Sequence, residues 1–542
     1  MAVLTGIDLL GIQRYVFASN RLKDVLAASW MVDHVVSKAN LIEHGITEDR
    51  IILAGGGNAI LAFEDVSAAR TWTTRYTRWL LDSAPGLEIV VAHQPYDSQK
   101  LAWALKALAI NLARAKLERR PSAPQLGLSV TESCVLTELP AITIIKDQGD
   151  DQGERVSARI AKQREHLQDA KSRWQQFLPH QFIHVPGWRF AFPDDLDVMG
   201  RSHGETSLVG VVHIDGNSLG LAITQWVQRC IENEVDDAHV RLEYRAWSSK
   251  LAELLAHVLE TVVTRVVNAL VEEPNERGVQ QWMLRGMPAQ LDFPLQTHQE
   301  TISLPIRPIL LGGDDLTFVC DGRIALDLAV TALNAFGAQT IPHLGEDGGE
   351  MRLTACAGVA LVKAHASFYR SYELAERLCA SAKYARNSYN KKHHSESGSW
   401  LDWHIGSVRP SDTITELRKR QYAGDKLTMR PYPLTHEARP QTWAWLDREL
   451  LGPVEAAKQG LRGADVWANS RSRVKQLDGL VHAGGDSIKR QLEAWNVQLP
   501  ARLSSASSNG FIGPRTPLLD ATELLDLHLR LDRDSDVGRD AS

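Results

Sequence analysis

One pattern occurs twice in this chain, and it limits the possible folds more than any other feature. An apolar strand runs into Asp8 in VLTGIDLLG, and a second runs into Asp215 in VGVVHIDGNSLG. Each is followed by a helical stretch and then by an apolar hairpin around a glycine turn. The hairpin is IILAGGGNAILAF in the first copy and PILLGGDDLTFVC in the second. Laid together, Gly55, Gly56, Gly57 and Asn58 fall on Gly312, Gly313, Asp314 and Asp315. Each hairpin leads into a helix rich in Ala with Leu or Trp, then into a further β-rich run, LEIVVAHQPY or MRLTACAGVALVKAH. Strand, helix, hairpin, helix, strand is the order of a ferredoxin-like palm. An α+β chain with two such palms is the expectation.

The copies differ in their surroundings. Between Asp215 and its hairpin, residues 241–271 have 3.6-residue periodicity and few breakers, which predicts a helical insert. Polar stretches with proline or glycine, at 119–127 and 146–155, punctuate the region after the first copy. Beyond RPYPL no strong strand pattern returns, and 443–459 and 470–495 read as amphipathic helices. The expected order begins with a first palm (1–120) and a helical or irregular connector (121–206). A second palm with its insert (207–410), a helical C-terminal domain (411–505) and a flexible tail (506–542) follow.

Composition narrows the function classes. Sixty basic against sixty-six acidic residues leave a net charge of -6, which excludes a generally basic nucleic-acid coat protein but not a local basic groove. Cys134, Cys230, Cys320, Cys356 and Cys379 form no CxxC pair, so neither a disulfide scaffold nor a zinc ribbon is encoded. No apolar run reaches ~18 residues, and no basic stretch precedes the apolar N-terminus. The expectation is a reduced, cytoplasmic protein without membrane association.

The LLGGDDLTFV hairpin carries the strongest chemical signal. Gly312 and Gly313 allow a tight turn whose backbone can approach a phosphate, and Asp314 and Asp315 follow at the tip. In the ferredoxin-like sheet the first strand neighbours the hairpin, so Asp215 converges on the hairpin although Asp314 lies 99 positions further along the sequence. Carboxylate oxygens of this kind suit Mg²⁺ or Mn²⁺. Two such ions ~3.5–4 Å apart stabilise the attacking and leaving oxygens of in-line phosphoryl transfer. A plain surface turn is the rival reading of Gly-Gly-Asp-Asp. The apolar flanks and the matching Asp215 strand argue against it.

Other candidates carry two readings each. Lys383 can reach triphosphate oxygens as a point charge, or be a solvated surface lysine. Asn217 and Ser218 can meet a ribose or base, or open the next helix as caps; Gly216 permits close backbone approach. In the first copy Gly57 and Asn58 replace the carboxylates, and Asp8 alone is a poor metal site. Ser19, Asn20, Arg21 and Lys23 in FASNRLKD are candidates for a triphosphate in a second nucleotide pocket, or for a polar helix start. His393-His394 reads as a polar loop, Asp402 with His404 as a packed strand, and Asp194-Asp195-Asp197 as a solvated turn.

Taken in order, HIDGNSLG, LGGDDL, YELAERLCASAK and GSWLDWHI resemble the large polymerase/cyclase subunit of type III CRISPR effector complexes, the "Cas-ten" family. They are more distantly similar to GGDEF diguanylate cyclases and class III nucleotidyl cyclases. GIQRYVFASNRLKDVLAAS resembles the family's first palm motif, and MRPYPL with RSRVKQL its helical C-terminal domain, so the likeness runs from about residue 4 to about 500. The resemblance implies a metal-dependent nucleotidyltransferase that joins ATP into cyclic oligoadenylate second messengers in antiviral defence. The 3′-hydroxyl of one nucleotide attacks the α-phosphate of another, and pyrophosphate leaves. Asp314 and Asp315 fall on the family's hairpin pair and Asp215 on its first-strand aspartate. Implied partners are nucleoside triphosphates, other effector subunits, CRISPR RNA and target RNA.

Two alternatives stand beside this reading: a catalytically silent nucleotide-binding scaffold subunit, and a stand-alone defence cyclase making a different messenger. The intact carboxylates argue against the first. Many members of the family begin with an HD nuclease domain, and no His-Asp pair precedes the first palm here, so no DNA cleavage is expected. Many also carry a cysteine-ligated zinc module, whereas 121–206 hold only Cys134, so no zinc is expected.

Overall fold

The computed structural model describes residues 1–531 apart from 98, 121–129, 147–151, 179–187, 197–198, 200–207, 299, 346–347, 407–408, 410–411, 423–426, 436–440, 453–459, 464–466, 468–469 and 505. The first palm comprises β1 (Ala2–Leu10), α1 (Leu22–Val35), β2 (Ile51–Gly55), β3 (Asn58–Phe63), α2 (Val66–Ser83), β4 (Glu88–Tyr96) and α3 (Leu101–Glu118). Its sheet order is β2-β3-β1-β4, antiparallel at every pairing. In β3 buried and half-buried residues alternate, as in a strand with one covered face. Helix α2 buries Ala69, Trp72, Tyr76 and Leu80, spaced three or four apart, so a single apolar stripe meets the sheet. Asp65 caps this helix by accepting the Ala68 N–H at 2.8 Å.

The second palm repeats the plan on a larger scale. It comprises β5 (Leu208–Gly216), α4 (Leu219–Glu232), α5 (Asp237–Asn268), β6 (Ile306–Gly312), β7 (Asp315–Asp321), α6 (Ala325–Gly337), β8 (Ala355–Lys363), α7 (Phe368–His393), β9 (Ser399–Ile405) and β10 (Tyr432–Leu434). The sheet order is β6-β7-β5-β8-β9-β10, antiparallel except between β8 and β9. Its first four members stand in the same relation as the four strands of the first palm. Both β5 and β8 are almost continuously buried, which is why their sequences read as unbroken apolar runs rather than alternations. A Cβ at Gly358 would lie 1.9 Å from the Ala375 carbonyl oxygen, so only glycine lets α7 lie so close on β8.

The insert is helical only in its first part. After α4 and α5, the segments Leu270–Pro274, Gln280–Leu284 and Phe293–Pro294 form a three-stranded sheet. Helix α5 ties the palms together. Its Asp237 accepts the N–H groups of Gln99 and Leu101 at 2.8 Å each, supplying the cap that α3 lacks from its own Lys100. Arg245 donates to the Ile51 carbonyl at 2.7 Å in the first palm, and Arg265 pairs with Asp327 on α6 at 2.6 Å in the second.

Three regions differ from the sequence expectation. The connector contains a hairpin, Ala141–Ile145 with Glu154–Ser157, before its two short helices. Strand β10 lies within RPYPL, inside the bounds of the expected helical C-terminal domain, yet it pairs with β9 and extends the palm sheet. The tail over 506–542 is not flexible throughout: α8 (Pro517–Leu524) is buried, and the Arg530 N–H donates to the Met287 carbonyl at 2.9 Å. The physical reason is Asp520. Its fully buried carboxylate accepts from Arg430 Nε, the Tyr432 hydroxyl and the Met429 N–H, each at 2.8 Å. Residues 532–542 lie outside the described residues. The helix expected over 443–459 is a π-helix over Trp445–Leu451, with 453–459 outside the described residues. The one over 470–495 breaks at Gly484 into Arg471–Ala483 and Gly485–Trp495. Among the described residues no helix is long and apolar enough to cross a membrane.

Candidate functional site

The second palm's ladder brings the three carboxylates together. Asp215, near the end of β5, stands directly opposite Asp315 at the start of β7. Gly312 pairs with Asp315, leaving Gly313 and Asp314 as the two-residue turn, with Gly313 at φ +66°. Carboxylate oxygens of Asp215, Asp314 and Asp315 all lie within 4.8 Å of one another. A Cβ at Gly216 would come within 2.9 Å of the Asp314 Cβ, and the Gly216 N–H donates to the Asp314 carbonyl at 3.1 Å. Glycine at 216 therefore admits the second aspartate to the cluster.

The electrostatics leave this cluster short of positive charge. Burial pushes the Asp314 carboxyl above its ordinary range, with the Asp215 charge adding and Lys383 partly offsetting. Asp315 is pushed up further, by burial and then by Asp215 and Asp314. Lys383 reaches across from α7, 2.5 Å from Asp215 and donating to the Gly216 carbonyl at 2.9 Å. Burial pulls its ammonium down, but the bond to Asp215 and its charge outweigh that, and the net shift is upward. With all three carboxylates ionised, one ammonium leaves about two negative charges uncompensated, and burial makes that state costly unless a cation joins it. Oxygen donors with that deficit fit a divalent hard cation.

The remaining candidates divide. Asn217 is buried; its N–H donates to the Thr354 carbonyl at 2.8 Å and its side-chain amide to the Thr354 hydroxyl at 3.1 Å. Ser218 stands at the N-cap of α4 with φ +63°, but its exposed side chain makes no capping bond. Ser19 donates to Asp24 at 2.8 Å inside a buried network, Arg21 pairs with Glu154, and Asn20 accepts the Phe368 N–H at 3.1 Å. The structure thus spends these three on helix start and palm contact, and does not bring them to the carboxylates. Asp402 pairs with Arg418, His393 stacks on Tyr389 with ring centroids 4.2 Å apart, and Asp194 bonds Lys171; Asp197 lies outside the described residues.

The first palm keeps half of the arrangement. Asp8 faces Asn58 across β1 and β3 as Asp215 faces Asp315. Lys116 on α3, the helix after the fourth strand, pairs with Asp8 as Lys383 on α7 pairs with Asp215. Here one carboxylate meets one ammonium, and Asn58 donates to the Gly56 carbonyl at 3.1 Å. This balanced pair gives a cation no deficit to fill. The Lys116 partnership escaped sequence reading because α3 carries Lys106, Arg114 and Lys116, and only its packing on β1 decides which of them meets Asp8.

Both glycine turns also line a cavity of about 420 Å³ with Leu219, Ile223, Tyr244 and Trp247 on its wall.

Residues 208–391 match the family model described as Cas10/Cmr2, second palm domain. The second palm is a Cas10/Cmr2 palm. The matched Cas10/Cmr2 span holds Asp215, Asp314, Asp315 and Lys383. No curated protein matches the chain in sequence. Among solved structures, the Csm1-Csm4 cassette in complex with AMPPNP is similar at a TM-score of 0.50 and 14% identity, over 97% of this chain and 69% of that one. The same cassette in complex with cA4 has a TM-score of 0.47 at 14% identity, over 97% and 70%. The Csm1-Csm4 subcomplex of the type III-A CRISPR-Csm interference complex has 0.49 at 15%, over 97% and 69%. At 14% identity the likeness to the AMPPNP-bound cassette is one of fold.

Proposed function

We propose that this protein is a nucleotidyltransferase that joins ATP into cyclic oligoadenylate-type second messengers, as a subunit of a type III CRISPR antiviral effector. The observation that carries the reading is the convergence of Asp215, Asp314 and Asp315 within 4.8 Å at the hairpin tip of a Cas10/Cmr2 palm. These three carboxylates would hold Mg²⁺ or Mn²⁺, and such ions, when bound, stabilise charge on the attacking and leaving oxygens of a phosphoryl transfer.

The chain's own residues do the rest by position and charge. Gly313 keeps the hairpin tip free of a side chain where a triphosphate approaches. Helix α4 begins beside Asp215, so its first N–H groups and the exposed Ser218 hydroxyl are available to phosphate or ribose oxygens. Lys383 holds Asp215 in place and supplies positive charge for the triphosphate. The cavity against Tyr244 and Trp247 is apolar enough to take a nucleobase. In the bond-making step the 3′-hydroxyl oxygen attacks the α-phosphorus and gives its proton to solvent as the bond to the β-phosphate breaks and pyrophosphate leaves; no protein nucleophile is required.

The relative bound to AMPPNP is a Csm1-Csm4 cassette. A Csm4-like subunit, CRISPR RNA and target RNA are accordingly the partners to test. The direct experiment incubates purified protein with Mg²⁺ or Mn²⁺ and each nucleoside triphosphate, with and without the RNA-bound complex, and identifies products by mass spectrometry.

A further inference from the structure

His213, Asp215 and Cys379 form a second set of ligating atoms, of which the carboxylate centre uses only one. His213 precedes Asp215 by two residues on β5 and so shares its face of the strand. Cys379 precedes Lys383 by four on α7 and so lies one turn from it on the same helix face. A ring nitrogen of His213, a carboxylate oxygen of Asp215 and the sulfur of Cys379 all lie within 4.8 Å of one another. The Nδ1 of His213 is 3.0 Å from the Thr317 hydroxyl, which leaves Nε2 for a ligand. A metal-bound histidine keeps an outer hydrogen bond of that kind on its other nitrogen.

We propose that His213, Asp215 and Cys379 bind one Zn²⁺ ion, and that this binding withdraws Asp215 from the carboxylate centre and switches it off. The donor chemistry separates the two sites. One imidazole, one thiolate and one carboxylate are the ligand types of tetrahedral zinc with an open fourth position, whereas three carboxylates favour hard cations. His213 and Cys379 are 4% and 2% exposed, so an ion enters over Asp215 and Lys383, which are each about a third exposed. Binding forms the zinc–sulfur bond, releases the thiol proton to solvent and moves the Lys383 ammonium off Asp215. Asp215 belongs to both sets, so zinc held on it competes with the hard cation for its oxygens. The inhibitory half rests on the reading of Asp215 given under Proposed function; the binding half does not.

The test uses the full chain carrying Asp314→Ala and Asp315→Ala, in excess Mg²⁺, with Co²⁺ as a spectroscopic probe. One equivalent should bind with sulfur-to-cobalt charge-transfer absorption, and one equivalent of Zn²⁺ should displace it. Adding Cys379→Ser should abolish that absorption. Cys356→Ser should keep it, although the Cys379 sulfur lies 3.1 Å from the Cys356 carbonyl oxygen. His213→Gln should weaken binding by about tenfold or more, and it decides the matter if Cys379→Ser does not fold. Absence of the absorption, or its survival in the Cys379→Ser variant, overturns the site. In the unmutated protein Zn²⁺ should suppress Mg²⁺-dependent pyrophosphate release, and Cys379→Ser should relieve the suppression. Zinc that binds at this site and leaves release unchanged overturns the switch. Cobalt binding as described in a protein that never releases pyrophosphate would retain the site and reject the catalytic reading alone.

Discussion

The backbone of Gly56, at the hairpin tip of the first palm, lies directly against the backbone of Gly313 at the hairpin tip of the second. A Cβ at Gly56 would come within 2.8 Å of the Gly313 nitrogen and 2.9 Å of its Cα, and one at Gly312 within 3.5 Å of the Gly56 Cα. Both Gly56 and Gly313 also have left-handed φ, +60° and +66°. The hairpin that has lost its carboxylates therefore abuts the one that keeps them.

Gly56→Ala should impair a centre it does not belong to. The left-handed backbone and the backbone clash together cost about 2–4 kcal/mol, and relief requires the hairpins to separate. Nucleotidyl transfer should fall about tenfold or more, with a lower melting temperature. Gly479→Ala, where a Cβ meets nothing within 4 Å, is the control and should be neutral or slightly stabilising.

Lys383 competes with a cation for Asp215 while favouring a triphosphate. Lys383→Met should lower the Mg²⁺ concentration needed for half-maximal activity several-fold and raise the KM for ATP by about tenfold. Paired titrations of Mg²⁺ and ATP measure the two effects separately. Equal movement of both in the same direction contradicts this role.

Arg430 and Asp520 are both fully buried and bonded to each other at 2.8 Å, with Glu523 completing the pairing. Asp520→Ala leaves a buried guanidinium short of charge and should cost about 3–5 kcal/mol. Urea denaturation measures it directly.

Acid should weaken the fold through its buried histidines. Burial, then the charges of Arg430, Arg418 and Arg420, push the His404 imidazole down from 6.5 to about 3. The unfolded chain takes up a proton near the ordinary value while the folded chain does not, so stability is lost as pH falls from 6.5 towards 3. The loss from His404 alone reaches about 2 kcal/mol near pH ~5. His213, pushed down to about 4, chiefly by burial, acts in the same direction. Asp314 and Asp315, whose carboxyls burial pushes up, act in the opposite direction, so the test is a difference: on going from about pH 7 to 5 the His404→Gln variant should gain melting temperature relative to the unmutated protein.

The palms were legible because their information is local: strand periodicity, a glycine turn and an aspartate at a fixed place in each repeat. Asp215 could be brought to the hairpin from the strand order alone, whereas its place opposite Asp315 depends on the register. What stayed hidden depends on long-range partners. Asp520 looks like one more acid in a polar tail until Arg430 and Tyr432 are placed around it. Ser19 and Arg21 look available until Asp24 and Glu154 claim them. His213 and Cys379 carry no motif, since a strand position and a helix position meet only when α7 packs on β5. Lys116 was missed for the same reason.

The most direct measurement is ATP-dependent pyrophosphate release by the protein with Mg²⁺ or Mn²⁺, in the presence of its RNA-bound partners, with mass spectrometry of the nucleotide product. Cyclic oligoadenylates should form, and Asp314→Ala with Asp315→Ala should reduce the rate by about 100-fold or more. Full activity in that double variant, or no pyrophosphate under any of these conditions, would contradict a catalytic centre at Asp215, Asp314 and Asp315.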